Sequence, residues 1–357
     1  MKCKLFLPFI VLSFIFSSCD NSTKYSAPVF KTERSLQWTH VTDELEVMNT
    51  HWLFEYKDWL ILIASKGNNK DSFYLYDKRT GDCLTSGVKS ANGPKETVYG
   101  TLSVSFQNGI LSYYDCQLEK RLFFSIDEYI KNGVESIHEE EYNSLPCTVK
   151  VTEAGDKLVY FRNKGYKAKD TLSVPRLEVV DKDGGRVCYN KETLEDPVVR
   201  FWVYMQPKYT VSPDGRKFAM SCNSGATIME SFSIDGGIKN IATKYLFEPS
   251  VTVDGYDIMP SDDSVLGISD LCSTNKWIIA SYDGDNTWYE AFESSTPKAP
   301  YTNIAVFDWD LKPLCLYKSD IRIEHLCFDE NSGTVYAVVK EADGSYYISR
   351  AEIDNTI

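Results

Sequence analysis

The chain has 357 residues, 51 of them acidic and 38 basic, for a formal net charge of −13. A surface that acidic repels phosphate backbones and anionic headgroups, which excludes nucleic-acid binding as a function class. Aromatic residues make up 13% of the chain, with 23 Tyr, a bias that suits strands.

The N-terminus reads first. Lys2 and Lys4 precede an apolar run from Leu5 to Phe16, and Ser17-Ser18-Cys19 follows. A basic start, a short apolar stretch and small residues before a cleavage point make an export signal. Its 12 positions are too few to span a hydrocarbon core of roughly 30 Å. Cys19 is expected to be the acylated cysteine of a bacterial lipoprotein, although Phe16 stands where an aliphatic residue is usual. The alternative is an ordinary secretory signal cut near Ser18, with Cys19 incidental. Residues 1–18 are thus expected as signal peptide, 19–28 as a short flexible lipidated tether, and 29–357 as one domain. Cleavage removes two lysines and no acids, leaving −15, so attachment to the membrane must come from the lipid. The expected location is the cell envelope at the outer membrane, facing either the periplasm or the exterior.

Beyond the tether, six runs climb to an aspartate and turn, at Asp77, Asp127, Asp181, Asp235, Asp308 and Asp354, with spacings of 50, 54, 54, 73 and 46 residues. That is the period of a four-stranded blade. Upstream of each aspartate a second turn recurs: Lys57-Asp58, Gln107-Asn108-Gly109, Glu153 to Asp156, Ser212-Pro213-Asp214-Gly215, Ser273 to Lys276, and Glu330-Asn331-Ser332-Gly333. Asn, Asp and Gly accept the tight or left-handed conformations a hairpin needs. The pattern predicts an all-β, six-bladed β-propeller with blades over 47–90, 99–142, 146–190, 207–246, 266–318 and 322–354. Only 127–142 approaches helical periodicity, and its charges make it a poor core helix. The last blade holds three strands in its own segment. An N-terminal strand, Val29 to Trp38, is therefore expected to close the ring as its outer strand, since an open edge invites pairing with other chains.

Eight cysteines follow Cys19: Cys83, Cys116, Cys147, Cys188, Cys222, Cys272, Cys315 and Cys327. An even number in an exported chain invites a disulfide reading. Several, however, occupy equivalent places in different blades, which the ring keeps farther apart than the roughly 4.4–6.8 Å between Cα atoms that a bridge needs. Most are expected to be small buried hydrophobes. There is no Cys-x-x-Cys and no Cys/His cluster, so neither a metal site nor a cofactor is expected.

The export signal, the blade period, Tyr209-Thr-Val-Ser-Pro-Asp-Gly-Arg216, the Ile304 to Leu311 strand and turn, and the Asn92-Gly-Pro-Lys-Glu96 segment together resemble the TolB-like six-bladed propeller lipoproteins of the Bacteroidetes. The resemblance covers essentially the whole mature chain. It implies a cell-envelope lipoprotein with a propeller body.

Enzyme signals are thin. Ser281 to Trp288 imitates the Asp box of sialidase propellers but has Asp285 in place of Gly and occurs once. His40, His51, His138 and His325 are dispersed, with no Gly-x-Ser-x-Gly elbow. His325 alone draws notice, because it falls on the first strand of the last blade, near the central channel. Loop lengths say more. The turns between strands 1 and 2 and between strands 3 and 4 share one face and are mostly tight, while the other face takes the insertions 162–175, 190–207, 246–266 and 283–300. Long loops are uncommon without a task. These carry Tyr166, Trp202, Tyr204, Tyr256, Trp288, Tyr289 and Phe292, residue types that supply recognition surface, although any one of them can pack under its own loop. Two functions remain: a non-catalytic binding or scaffold propeller whose rim engages an envelope protein or glycan, or a carboxylate- or metal-dependent hydrolase or lyase at the channel mouth.

Overall fold

The structure, a computed structural model, describes residues 24–47, 49–65, 71–98, 102–142, 149–162, 176–191, 193–204, 207–222, 226–254, 257–290 and 302–353. Cys19, Cys147, Tyr166, Tyr256, Phe292 and Asp354 lie outside them, as does most of the 162–175 insertion. Three of the recurring aspartates show why their blades turn where they do. Asp77 Oδ1 accepts the N–H groups of Arg79 and Thr80 at 2.7 and 3.0 Å, Asp181 Oδ1 those of Asp183 and Gly185 at 3.0 and 2.6 Å, and Asp308 Oδ1 that of Lys312 at 2.8 Å. A short carboxylate satisfies backbone donors two to four residues ahead and so fastens the turn between the third and fourth strands. Asp127 departs from this. It sits in the first turn of a helix, α1 (Ile126–Asn132), which replaces the tight turn of blade two.

Six blades result, each with a core of four strands. Blade one is Asn49–Tyr56, Trp59–Ser65, Asp71–Asp77 and Cys83–Lys89, and blade two is Leu102–Gln107, Ile110–Asp115, Lys120–Ser125 and His138–Glu141. Blade three is Val149–Ala154, Lys157–Arg162, Leu177–Asp181 and Arg186–Tyr189, and blade four is Lys208–Val211, Lys217–Cys222, Ile228–Ser233 and Lys239–Tyr245. Blade five is Val265–Ser273, Trp277–Thr287, Asn303–Asp308 and Pro313–Lys318, and Arg322–Asp329, Thr334–Lys340 and Tyr346–Glu352 begin blade six. All six lie where the repeat placed them. The hairpin turns between first and second strands use left-handed backbone at Lys57, Asn108, Gly109, Gly155, Gly215 and Gly333. At Gly215 the reason is also spatial: a Cβ there would stand 2.5 Å from the Gly155 nitrogen in the neighbouring blade's turn.

The first strands line the axis, and those of blades two and three, four and five, five and six, and six and one lie against each other. Six buried apolar clusters among the described residues sit one at each blade-to-blade seam. This is the stacking that lets a unit unable to bury its own faces become stable in a ring. The seam between blades two and three has the smallest apolar cluster of the six and adds polar ties. Ser103 and Ser105 hydroxyls accept the Val151 and Glu153 N–H groups at 3.2 and 2.9 Å, and Arg121 Nη2 pairs with Glu153 at 2.6 Å.

Ring closure uses the N-terminal segment, but not the residues expected. Thr39–His40 pairs antiparallel with Tyr346–Glu352 as the outer strand of blade six, and Leu45 continues the contact with a bridge to Tyr346. Upstream, Thr32–Ser35 runs parallel to Pro313–Lys318 as a fifth strand on blade five. The chain therefore covers two edges. A second helix, α2 (Pro197–Val203), was not expected. It is started by the Asp196 carboxylate, which accepts the Val198 and Val199 N–H groups at 2.8 and 3.1 Å, with Pro197 in the first turn.

No disulfide joins the described cysteines. Cys222, Cys315 and Cys327 are buried as expected, but Cys83 and Cys188 are exposed on outer strands.

Candidate functional site

Three first strands carry β-bulges. The register slips between Thr50 and Trp52 in blade one, between Ile268 and Asp270 in blade five, and between Ile323 and His325 in blade six. His51, Ser269 and Glu324 are the extra residues. A bulge twists a strand and re-aims the side chains around it, and here it does so on three walls of one channel.

On adjoining first strands, four titratable side chains from four blades are coupled by charge: His51 from blade one, Lys208 from blade four, Asp270 from blade five and His325 from blade six. His325 Nδ1 lies 3.4 Å from Asp270 Oδ2, with side-chain exposures of only 6% and 15%. Leu326 N–H donates to the same Asp270 oxygen at 3.0 Å. Burial by itself would raise the Asp270 carboxyl. The hydrogen bond and charge of His325, the charge of Lys208 and the Leu326 N–H outweigh it and hold the carboxyl below its usual range. His51 shows the opposite balance: burial first, then the charges of His325 and Lys208, push its imidazole down to about 4, so it is neutral at pH 7. An ionised carboxylate with a buried imidazole beside it thus feels the charge of a lysine, and a neutral imidazole feels the same two basic groups.

A second polar group leads from the insertion-bearing face toward the first. Asp283 is buried, and its Oδ1 accepts the Thr302 hydroxyl at 2.8 Å. Burial raises this carboxyl to about 6, against the hydrogen bonds of Thr302 and Ser269 and the charge of Arg322, while Glu324 adds to the rise. Arg322 Nε pairs with Glu324 at 3.0 Å. Holding a carboxylate buried with a raised pKa costs stability and is common where a group has work to do. Among the described residues no set of three or more His, Cys, Asp or Glu side chains is arranged to hold a metal ion.

The expected rim residues separate. Tyr289 is exposed and Trp288 half-buried at the end of the second strand of blade five, where their N–H groups bond the carbonyls of Asp262 and Ser264. Trp202 is half-buried on α2. Tyr204 turns inward. It is buried, its ring lies under the Arg176 guanidinium at 4.4 Å, and its hydroxyl donates to Glu230 at 3.1 Å within the buried Arg176–Glu230 pair. The Ser281 to Trp288 stretch that imitates an Asp box lies mostly within the continuous strand Trp277–Thr287. His325 does reach the channel. His51, Lys208 and Asp270 were missed, because their convergence depends on four blades meeting. The available signal was their shared place on first strands.

The fold and site define a six-bladed β-propeller with a polar, charge-coupled channel. No protein-family model and no curated protein sequence matches the chain. Among solved structures it is similar to a Bacteroides fragilis protein named as exported, at 13% identity over 91% of this chain and 99% of that one, with a TM-score of 0.49. It is also similar to a gluconolactonase from Xanthomonas campestris, at 11% identity over 89% and 90% of the two chains and a TM-score of 0.46. A third likeness is to the β-propeller domain of a Myceliophthora thermophila Swd1 protein, at 9% identity over 88% and 99%, with a TM-score of 0.41.

Proposed function

We propose that this protein is a lipid-anchored envelope propeller that binds rather than transforms its ligand, an envelope glycan, with polar groups of the ligand entering the channel from the insertion-bearing face. The observation that carries this reading is the meeting of His51, Lys208, Asp270 and His325 from four blades. Carboxylates, ammonium and imidazole side by side, with the Ser269 and Thr302 hydroxyls on the way in, both donate to and accept from sugar hydroxyls. Trp288 and Tyr289 at the rim add flat aromatic surface. Anchoring follows from the signal and Cys19. No helix among the described residues is long and apolar enough to cross a membrane.

Calorimetry against an array of envelope oligosaccharides tests it. Lys208→Ala or Trp288→Ala is expected to weaken binding by about 2 kcal/mol, roughly thirtyfold, while Asn108→Ala and Asn331→Ala on the tight-turn face leave it unchanged. Capture of a protein and no glycan, lost in the same two variants, would replace the ligand class but keep the site. Loss of binding in the tight-turn variants alone would move the site to the other face.

A second reading, a hydrolase or lyase, is favoured by one feature. Asp270 Oδ2 lies 3.4 Å from His325 Nδ1, a carboxylate beside an imidazole inside the channel. New reducing ends released by wild type but not by His325→Ala would establish it.

A further inference from the structure

The tether is docked from Lys24 onward. Lys24 Nζ donates to the Thr193 carbonyl at 3.2 Å and lies 4.2 Å from the centroid of the Tyr245 ring. Tyr25 meets the same ring edge-on at 5.5 Å, and Ser26 N–H donates to the Tyr245 carbonyl at 3.0 Å. The Tyr245 hydroxyl itself donates to the Thr193 carbonyl at 3.2 Å, so ring and wall are tied together. Phe30 then packs edge-on against Tyr282 and Phe307, at 6.0 and 5.6 Å, and Thr32–Ser35 joins the sheet of blade five.

The place of this clamp is decided by strand direction. In each blade the fourth strand runs from the tight-turn face to the insertion-bearing face, and Tyr245 is the last residue of the fourth strand of blade four. Thr193 lies in the 190–207 connection on that same face. The clamp is therefore on the insertion-bearing rim. Cys19 precedes Lys24 by five residues, a reach of at most about 18 Å.

We infer that the clamp turns the anchor into an orienting strut, holding the insertion-bearing rim of blades four and five against the bilayer so that the channel opens toward the membrane and takes a ligand presented at its surface. This rests on the reading of Cys19 as acylated. The rim in that sector suits such a position. The hairpin Val251–Asp254 and Asp257–Pro260, between blades four and five, leaves Val253 and Met259 more than half exposed, and Tyr289 stands nearby through its bond to Asp262. Exposed apolar and tyrosine side chains favour the headgroup boundary. Asp254, Asp262 and Asp263 are exposed among them, so the matching surface is zwitterionic rather than strongly anionic.

The test uses the full chain expressed in a bacterial host and reconstituted in phosphatidylcholine vesicles carrying an acceptor dye on the headgroups. A donor is placed by an unnatural amino acid at position 259 or, on the tight-turn face, at position 331. A blade strand of seven residues spans about 23 Å, and on that height difference energy transfer is expected to be about twofold or more stronger from 259. The double variant Lys24→Ala, Tyr245→Ala is expected to remain vesicle-bound and to lose most of that difference. Replacing a third of the lipid with phosphatidylglycerol is expected to reduce it. Equal transfer from both positions in vesicle-bound wild type overturns the orientation while leaving the anchor intact. A wild-type chain that does not float with vesicles, or a Cys19→Ala chain that floats equally well, removes the anchor itself.

Discussion

Asp270→Asn isolates the charge at the centre of the channel. Asparagine is nearly isosteric, and its Oδ1 can still accept the Leu326 N–H now bonded at 3.0 Å, so what is lost is the attraction to His325 and Lys208. A hydrogen bond involving a charged group contributes about 1.5–3 kcal/mol and a neutral one about 1, so the substitution should cost about 1–2 kcal/mol at pH 7. In a chain of this size that lowers Tm by about 1.5–3 °C. The pH dependence sharpens the test. The folded carboxyl is held below the ordinary 3.8, so its contribution is complete above the unfolded value and is lost as pH falls through the folded one. Urea melts followed by tryptophan fluorescence at pH 7.5 and 3.5 should show a gap between wild type and variant at the higher value and a narrower one at the lower. A gap of the same size at pH 3.5, or none at pH 7.5, refutes the electrostatic account of this site.

His51 works in the other direction: below 6.5 the unfolded chain takes up a proton that the folded imidazole refuses until about 4, so stability falls across that window and His51→Gln should flatten the fall in thermal melts. Asp283→Asn keeps the Thr302 bond but removes a carboxylate that is charged and buried above about pH 6; it should raise Tm at pH 8, leave it little changed at pH 4, and weaken ligand binding in calorimetry. Truncation separates the two N-terminal strands, because removing residues up to 35 bares the edge of blade five, whereas removing them up to 46 also uncovers blade six and takes out buried Leu36 and Leu45. The longer truncation should show the larger loss of Tm and the greater aggregation in light scattering.

The propeller was legible in the sequence because its signals are local. A turn needs its Asp, Asn or Gly within a few residues, and the period of such turns counts the blades, which is why the strands of all six fell where the repeat placed them. Asp127 misled only in part, since the same residue that closes a turn also suits the first turn of a helix. Closure was anticipated, but its register was not: 29–38 was expected on blade six, and only the packed ring shows that Phe30 belongs between blades four and five while Thr39–His40 belongs on blade six. The channel site was beyond the sequence altogether. His51, Lys208, Asp270 and His325 are separated by 157, 62 and 55 positions in the chain, and no spacing rule links them. Each became part of one charge-coupled group because bulges re-aimed the strands carrying three of them and because ring closure brought blade six against blade one. Tyr204 shows the same limit from the other side, since an aromatic in a long connection reads as surface until a buried Arg176 and Glu230 claim it. Local conformational preference is written in neighbouring residues, whereas proximity across the ring exists only once the ring has closed.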